Sequence, residues 1–148
     1  MTYLADVNVW LALVYDEHLH HQAAWAWLES ALGPASPNSE LTFCRVTEMG
    51  FLRLLSNPGV MGKDVRTPQL AWDALVAYYQ DPRIQFAPEP AGLRKAWQTF
   101  SRQHKHGVNF WTNAYLAAFA EIKGATLVTF DRDFRGYSGL AVKLLSTK

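Results

Sequence analysis

Apolar positions along the chain fall into short blocks that switch between continuous runs and helical spacing. Tyr3-Leu4-Ala5-Asp6-Val7 is a brief apolar run ending on a carboxylate; with Val9-Trp10-Leu11-Ala12-Leu13-Val14 behind it, it predicts a strand and then a helix. From His20 to Leu32 the residues Ala24, Trp27, Leu28 and Ala31 recur at helical spacing, and Gly33-Pro34 ends that helix before a loop from Pro34 to Ser39. A short strand from Leu41 to Cys44 precedes an amphipathic helix from Thr47 to Leu55, closed by Ser56-Asn57-Pro58-Gly59. Thr67-Pro68 sets a capping hydroxyl before a first-turn proline and opens a helix to Tyr79.

Arg83 to Ala87 then reads as strand, Glu89 to Gln103 as helix, and Trp111 to Lys123 as a helix stopped by Gly124. Ala125-Thr126-Leu127-Val128-Thr129-Phe130 has the near-continuous apolar character of a buried strand, again followed by a carboxylate, Asp131; Leu140 to Leu145 offers one more strand. Alternating strands and helices predict an α/β fold: a central, mostly parallel sheet between two helical layers. There is no internal repeat, and 148 residues suit a single domain over the whole chain, 1–148.

Composition narrows the function classes. Hydrophobic residues make up 49% and charged ones 18%, which excludes a disordered chain. No apolar run approaches the roughly 20 residues of a membrane span, and no basic flank or cleavage site marks a signal peptide, so a soluble, cytoplasmic protein without membrane contact is expected. The lone Cys44 has no internal disulfide partner and is not read as a nucleophile. A net charge of +1 supplies no argument for a polyanionic ligand, so nucleic-acid binding has to be argued from a site. Arg94, Lys95, Arg102, His104, Lys105 and His106 group locally, either as a solvated helix end or as an RNA contact.

That site is suggested by carboxylates. In parallel α/β sheets the strand-to-helix turns form a crevice at the carboxyl ends of the strands, where Asp6 and Asp131 fall. Glu48 heads the stripe Phe51, Leu52, Leu55, and Asn113 heads Leu116, Ala117, Ala120, so both start core-facing helical stripes. An acid near a helix start also stabilises the dipole by about 0.3–1 kcal/mol, and for Glu48 alone the two readings weigh equally. Gathering several carboxylates is costly, however: two charges about 4 Å apart repel by roughly 4 kcal/mol at an effective dielectric near 20. A divalent cation with a preference for hard oxygen ligands, magnesium or manganese, resolves that cost and serves phosphodiester hydrolysis.

At these residues the chain resembles the PIN-domain family, specifically its VapC-type toxins. The matching segments are Leu4 to Leu13, Thr47 to Pro58 and Leu127 to Phe134, spread in order across nearly the whole chain. The resemblance implies a three-layer PIN fold and a Mg2+- or Mn2+-dependent endoribonuclease. It also implies a homodimer silenced by a cognate antitoxin protein. By resemblance Asp6, Glu48 and Asp131 are metal ligands and Asn8 orients the site, with Thr129 within the last motif. Asp133 either reaches a second ion or is a solvated turn residue, and Arg53 contacts phosphate or forms a local ion pair.

The chain departs from the family pattern at Asn113, where that pattern has aspartate. An amide keeps the shape and loses the charge, which opens a second reading: a catalytically weakened PIN domain that binds RNA or antitoxin. A third, a haloacid-dehalogenase-type phosphotransferase, rests on Asp6-Val7-Asn8 alone, lacks the second aspartate of that motif and ranks lower. His18, His20 and His21 have no companion ligand at zinc-site spacing and read as a polar helix entrance. Trp25, Trp27, Trp72, Trp97 and Trp111 are first core candidates and only then base-stacking ones.

Overall fold

The structure is a computed structural model that describes residues 1–103 and 107–146. Five strands, β1 (Thr2–Ala5), β2 (Glu40–Phe43), β3 (Ile84–Phe86), β4 (Thr126–Thr129) and β5 (Val142–Leu144), form one sheet in the order β3-β2-β1-β4-β5. Every pairing is parallel, with Leu4 beside Thr42 and Leu127, and Phe43 beside Phe86. All strand ends that precede a helix therefore share one edge.

Strand alternation sends successive side chains to opposite faces. Ala5, Phe43 and Val128 pack under α1 (Val7–Val14), α2 (His21–Ala31), α3 (Arg45–Leu55) and α5 (Pro68–Tyr79). Leu4 and Leu127 face the other way, under α6 (Leu93–Phe100) and α7 (Phe110–Lys123). This is the expected three-layer arrangement. On the first face Trp10 stacks on Phe43 with ring centroids 3.6 Å apart, and Tyr78 Oη donates to the Trp10 carbonyl at 3.2 Å, fixing α1 between sheet and α5.

Two elements differ from the sequence expectation. The Asn57-Pro58 pair that ends α3 also opens a short helix α4 (Pro58–Met61), because the Asn57 carboxamide accepts from the Gly59 N–H at 2.8 Å and proline is tolerated at a first helical position. The helix expected from Glu89 begins only at Leu93: Gly92 has φ +83°, a left-handed conformation that breaks helical continuity. Arg94, Lys95 and Arg102 are exposed on or beyond α6; His104, Lys105 and His106 of the same basic group lie outside the described residues. Among the described residues no helix is long and apolar enough to cross a membrane.

Candidate active site

Asp6 and Asp131 leave adjacent parallel strands at the same edge. Ala5 is in register with Val128, and the Asp6 N–H donates to the Val128 carbonyl at 2.9 Å. Thr129 joins the two acids: its hydroxyl donates to Asp6 Oδ2 at 2.8 Å and accepts from the Asp131 N–H at 3.0 Å. The other Asp6 oxygen accepts from Val7 N–H at 2.8 Å, at the start of α1. Asp131 Oδ1 accepts from the exposed Asp133 N–H at 2.9 Å, which pins the turn after β4. Asp133's own carboxylate has no such partner among the described residues.

Asn113, buried in the first turn of α7, points its amide at Asp131 Oδ2 with a long contact of 3.4 Å. Asn8 Oδ1 sits 3.5 Å from the Phe130 N–H, a weak contact that ties α1 to the segment carrying Asp131. Beyond it the His20 ring stacks on Phe130 with centroids 4.4 Å apart. Asp6 is 9% exposed. Burial holds its carboxyl above the usual carboxylate range and the Asp131 charge adds to this, against the pull of the Thr129 and Val7 hydrogen bonds.

Glu48 is buried as well, and both its oxygens are engaged by groups outside this network. Oε1 takes an ion pair from Arg45 Nη1 at 2.6 Å and Oε2 a hydrogen bond from Tyr79 Oη at 2.6 Å. Burial and the neighbouring carboxylate push the Tyr79 phenol up, so it remains a donor. Among the described residues no three acidic, imidazole or thiol side chains converge as a ready ligand shell. The structure thus brings together Asp6, Asp131, Thr129, Asn113 and Asn8, and holds Glu48 on Arg45 and Tyr79.

The remaining candidates have ordinary structural places. Arg53 is exposed and makes no ion pair among the described residues. His21 Nδ1 lies 2.7 Å from the Ala12 carbonyl and Trp25 Nε1 donates to that of Leu13 at 3.0 Å, so these two side chains satisfy carbonyls that α1 leaves open at its end. His18 Nδ1 accepts from the His20 N–H, as expected of a polar helix entrance. Cys44 is buried, its thiol pushed up by burial, and it helps cap α3. Sequence reasoning passed over Arg45, Tyr79 and the stacking of His20. Arg45 stands three residues before Glu48 and was recognisable as a helical neighbour, whereas Tyr79, 31 residues away, carries no local signal.

The family model for the PIN domain matches residues 3–140. The chain belongs to the PIN-domain family. Over 147 residues this PIN domain is 40% identical to Ribonuclease VapC41 of Mycobacterium tuberculosis, covering 97% of this chain and 98% of that protein. It is 35% identical over 138 residues to Ribonuclease VapC39 of the same organism, covering 88% and 89%. Among solved structures, VapBC2 from Rickettsia felis bound to a promoter DNA fragment matches with a TM-score of 0.72 and 13% identity, over 99% of this chain and 100% of that one. Mycobacterium tuberculosis VapC20, described as a sarcin–ricin loop cleaving toxin, matches with a TM-score of 0.68 and 20% identity, over 97% and 99%. At those identities the structures speak for the fold, and the phosphotransferase reading finds no counterpart in any of these matches.

Proposed function

We propose that this PIN domain is a divalent-metal-dependent endoribonuclease, the toxin half of a toxin–antitoxin pair acting in the cytoplasm, and that it folds as one domain. The observation that carries the reading is the coupling of Asp6 and Asp131 through Thr129 at the carboxyl ends of β1 and β4, with Asp6 buried and reluctant to ionise. A buried carboxyl of that kind is relieved by a nearby cation. The donors are hard oxygens, which suit magnesium or manganese. Asp6 and Asp131 would hold the ion, with Glu48 completing the set. Bound there, the ion supplies charge that stabilises the phosphodiester transition state and activates water.

The chain's own groups do the positioning. Thr129 ties the Asp6 carboxylate to the backbone of Asp131, and Asn8 makes a weak contact with the backbone at Phe130. Asp133, an exposed residue, fixes the turn through its N–H. Arg53 lies on the exposed side of α3, within the helix that carries Glu48. Relatives named as ribonucleases at 40% and 35% identity support RNA as the substrate, and a solved neighbour described as a toxin–antitoxin complex, from Klebsiella pneumoniae, supports an antitoxin as partner.

Asn113 favours a second reading, since it donates a hydrogen bond to Asp131 where the family pattern would set another acid. Cleavage of a single-stranded RNA with manganese, compared among the chain as it stands, Asn113→Asp and Asp6→Asn, separates the two. The nuclease reading expects cleavage that Asp6→Asn abolishes and Asn113→Asp raises. Cleavage seen only after Asn113→Asp would make the present chain a binding module; cleavage indifferent to Asp6 would refute the site.

A further inference from the structure

Arg45 occupies a place that its ion pair alone does not explain. It is the first residue of α3, at the carboxyl end of β2, and its guanidinium lies over the Phe86 ring, 4.7 Å from the centroid, at the end of β3. Because Phe43 is in register with Phe86 and all strands are parallel, this stacked pair sits on the same sheet edge as Asp6 and Asp131. Strands are about 4.8 Å apart, so Phe86 stands roughly 10 Å along the crevice from Asp6. The Arg45 side chain is 68% exposed, and among the described residues only Nη1 of its five N–H donors is engaged, on Glu48. With its carbon over the Phe86 ring and one N–H on Glu48, the guanidinium keeps further N–H donors that can fork onto a phosphate.

We propose that Arg45, stacked on Phe86, is a subsite for a backbone phosphate of single-stranded RNA flanking the scissile bond, and that phosphate draws the guanidinium off Glu48. The inference rests on the ribonuclease reading and names a substrate contact within it. The Arg45–Glu48 ion pair is then the resting state of the empty crevice. It keeps both charges compensated until RNA arrives, and Glu48 Oε1 becomes free for the metal site when the guanidinium changes partner, while Tyr79 keeps Oε2. RNA and metal consequently favour each other's binding, and such coupling is reciprocal.

The test measures binding without cleavage. Affinity for a single-stranded oligoribonucleotide is titrated in chelator at several salt concentrations, for the unsubstituted chain, Arg45→Gln and Phe86→Leu. Manganese affinity is measured separately by calorimetry without RNA. Arg45→Gln should weaken RNA binding about tenfold, the scale of one charge-assisted contact. It should also make the salt dependence shallower by about 0.7, while manganese affinity stays level or rises. Phe86→Leu should give a smaller loss in the same direction. Unchanged RNA affinity in Arg45→Gln would overturn the proposal, leaving Arg45 as an ion-pair partner only. Loss of RNA and manganese affinity together would also overturn it, since Arg45 would then act by holding Glu48 in place. If the unsubstituted chain bound no RNA either in chelator or with calcium in place of manganese, the ribonuclease reading itself would fall.

Discussion

At the scale of single residues, the Asn113 amide lies 3.4 Å from Asp131 Oδ2. Asn113 gives Asp131 a hydrogen bond where an aspartate would give repulsion, so the amide suits the metal-free fold. Asn113→Asp should lower the melting temperature in chelator, with about 4 kcal/mol for a close charge pair as an upper scale, since water and a shifted protonation relieve much of it. Manganese at about 100 times its dissociation constant should restore about 2.7 kcal/mol by binding the folded state. Equal melting curves for the two forms, with and without manganese, would remove position 113 from the site. Asp6 sets a pH dependence of definite sign. Its carboxyl is raised by burial in the folded chain, so between the ordinary carboxylate value and its own raised value the folded state holds a proton that the unfolded state has released. Metal-free stability should therefore fall as pH rises through that window, and Asp6→Asn should remove that part of the slope. Denaturant titrations across pH in chelator would show it; an unchanged slope in Asp6→Asn would assign the dependence to other groups.

At the scale of elements, the position of Asp6 depends on how closely α1 and α3 approach. A Cβ built on Gly50 of α3 would lie 2.6 Å from one Val7 methyl and 3.3 Å from the other, and Val7 directly follows Asp6. Valine is stiff about χ1, so the contact cannot be relieved by a side-chain swing and the helices must part. Gly50→Ala gains about 1 kcal/mol in helix propensity but incurs about 1–3 kcal/mol of overpacking, so a net destabilisation is expected. It should carry a fall in manganese affinity, because the start of α1 shifts with it. An increase in melting temperature would show that α1 and α3 have room to spare. The same helix carries Glu48, whose hydrogen bond from Tyr79 ties α3 to α5.

At the scale of the whole molecule, large apolar side chains remain on the surface: Leu70, Trp72 and Val76 on α5 are each more than half exposed, as is Met49 on α3. Trp72 and Val76 lie one helical turn apart on α5, and contiguous exposed apolar area is what marks a partner site. The homodimer that the family resemblance implies predicts a doubled mass at micromolar concentration by light scattering. The proposed antitoxin predicts co-purification with the product of an adjacent small reading frame. A strict monomer would remove the first, and solitary purification from co-expressed genes the second.

What the sequence determined by itself was everything carried by local periodicity and by residues next to one another. The apolar runs and helical stripes specified strands and helices, since burying one face requires that spacing whatever the partner is. Asp6 and Asp131 stood at strand ends in the sequence, and parallel order alone implied that such ends share an edge. Asn113 and Glu48 were visible as polar heads of apolar stripes. Tertiary structure decided what those polar heads touch. Nothing local announces that Thr129 bridges two acids 125 residues apart in the chain, that Tyr79 reaches Glu48, or that Phe86 lies under Arg45. Hydrogen bonds and ring stacking depend on ångström-scale placement of groups brought together by strand order, and strand order is fixed by packing of the whole core.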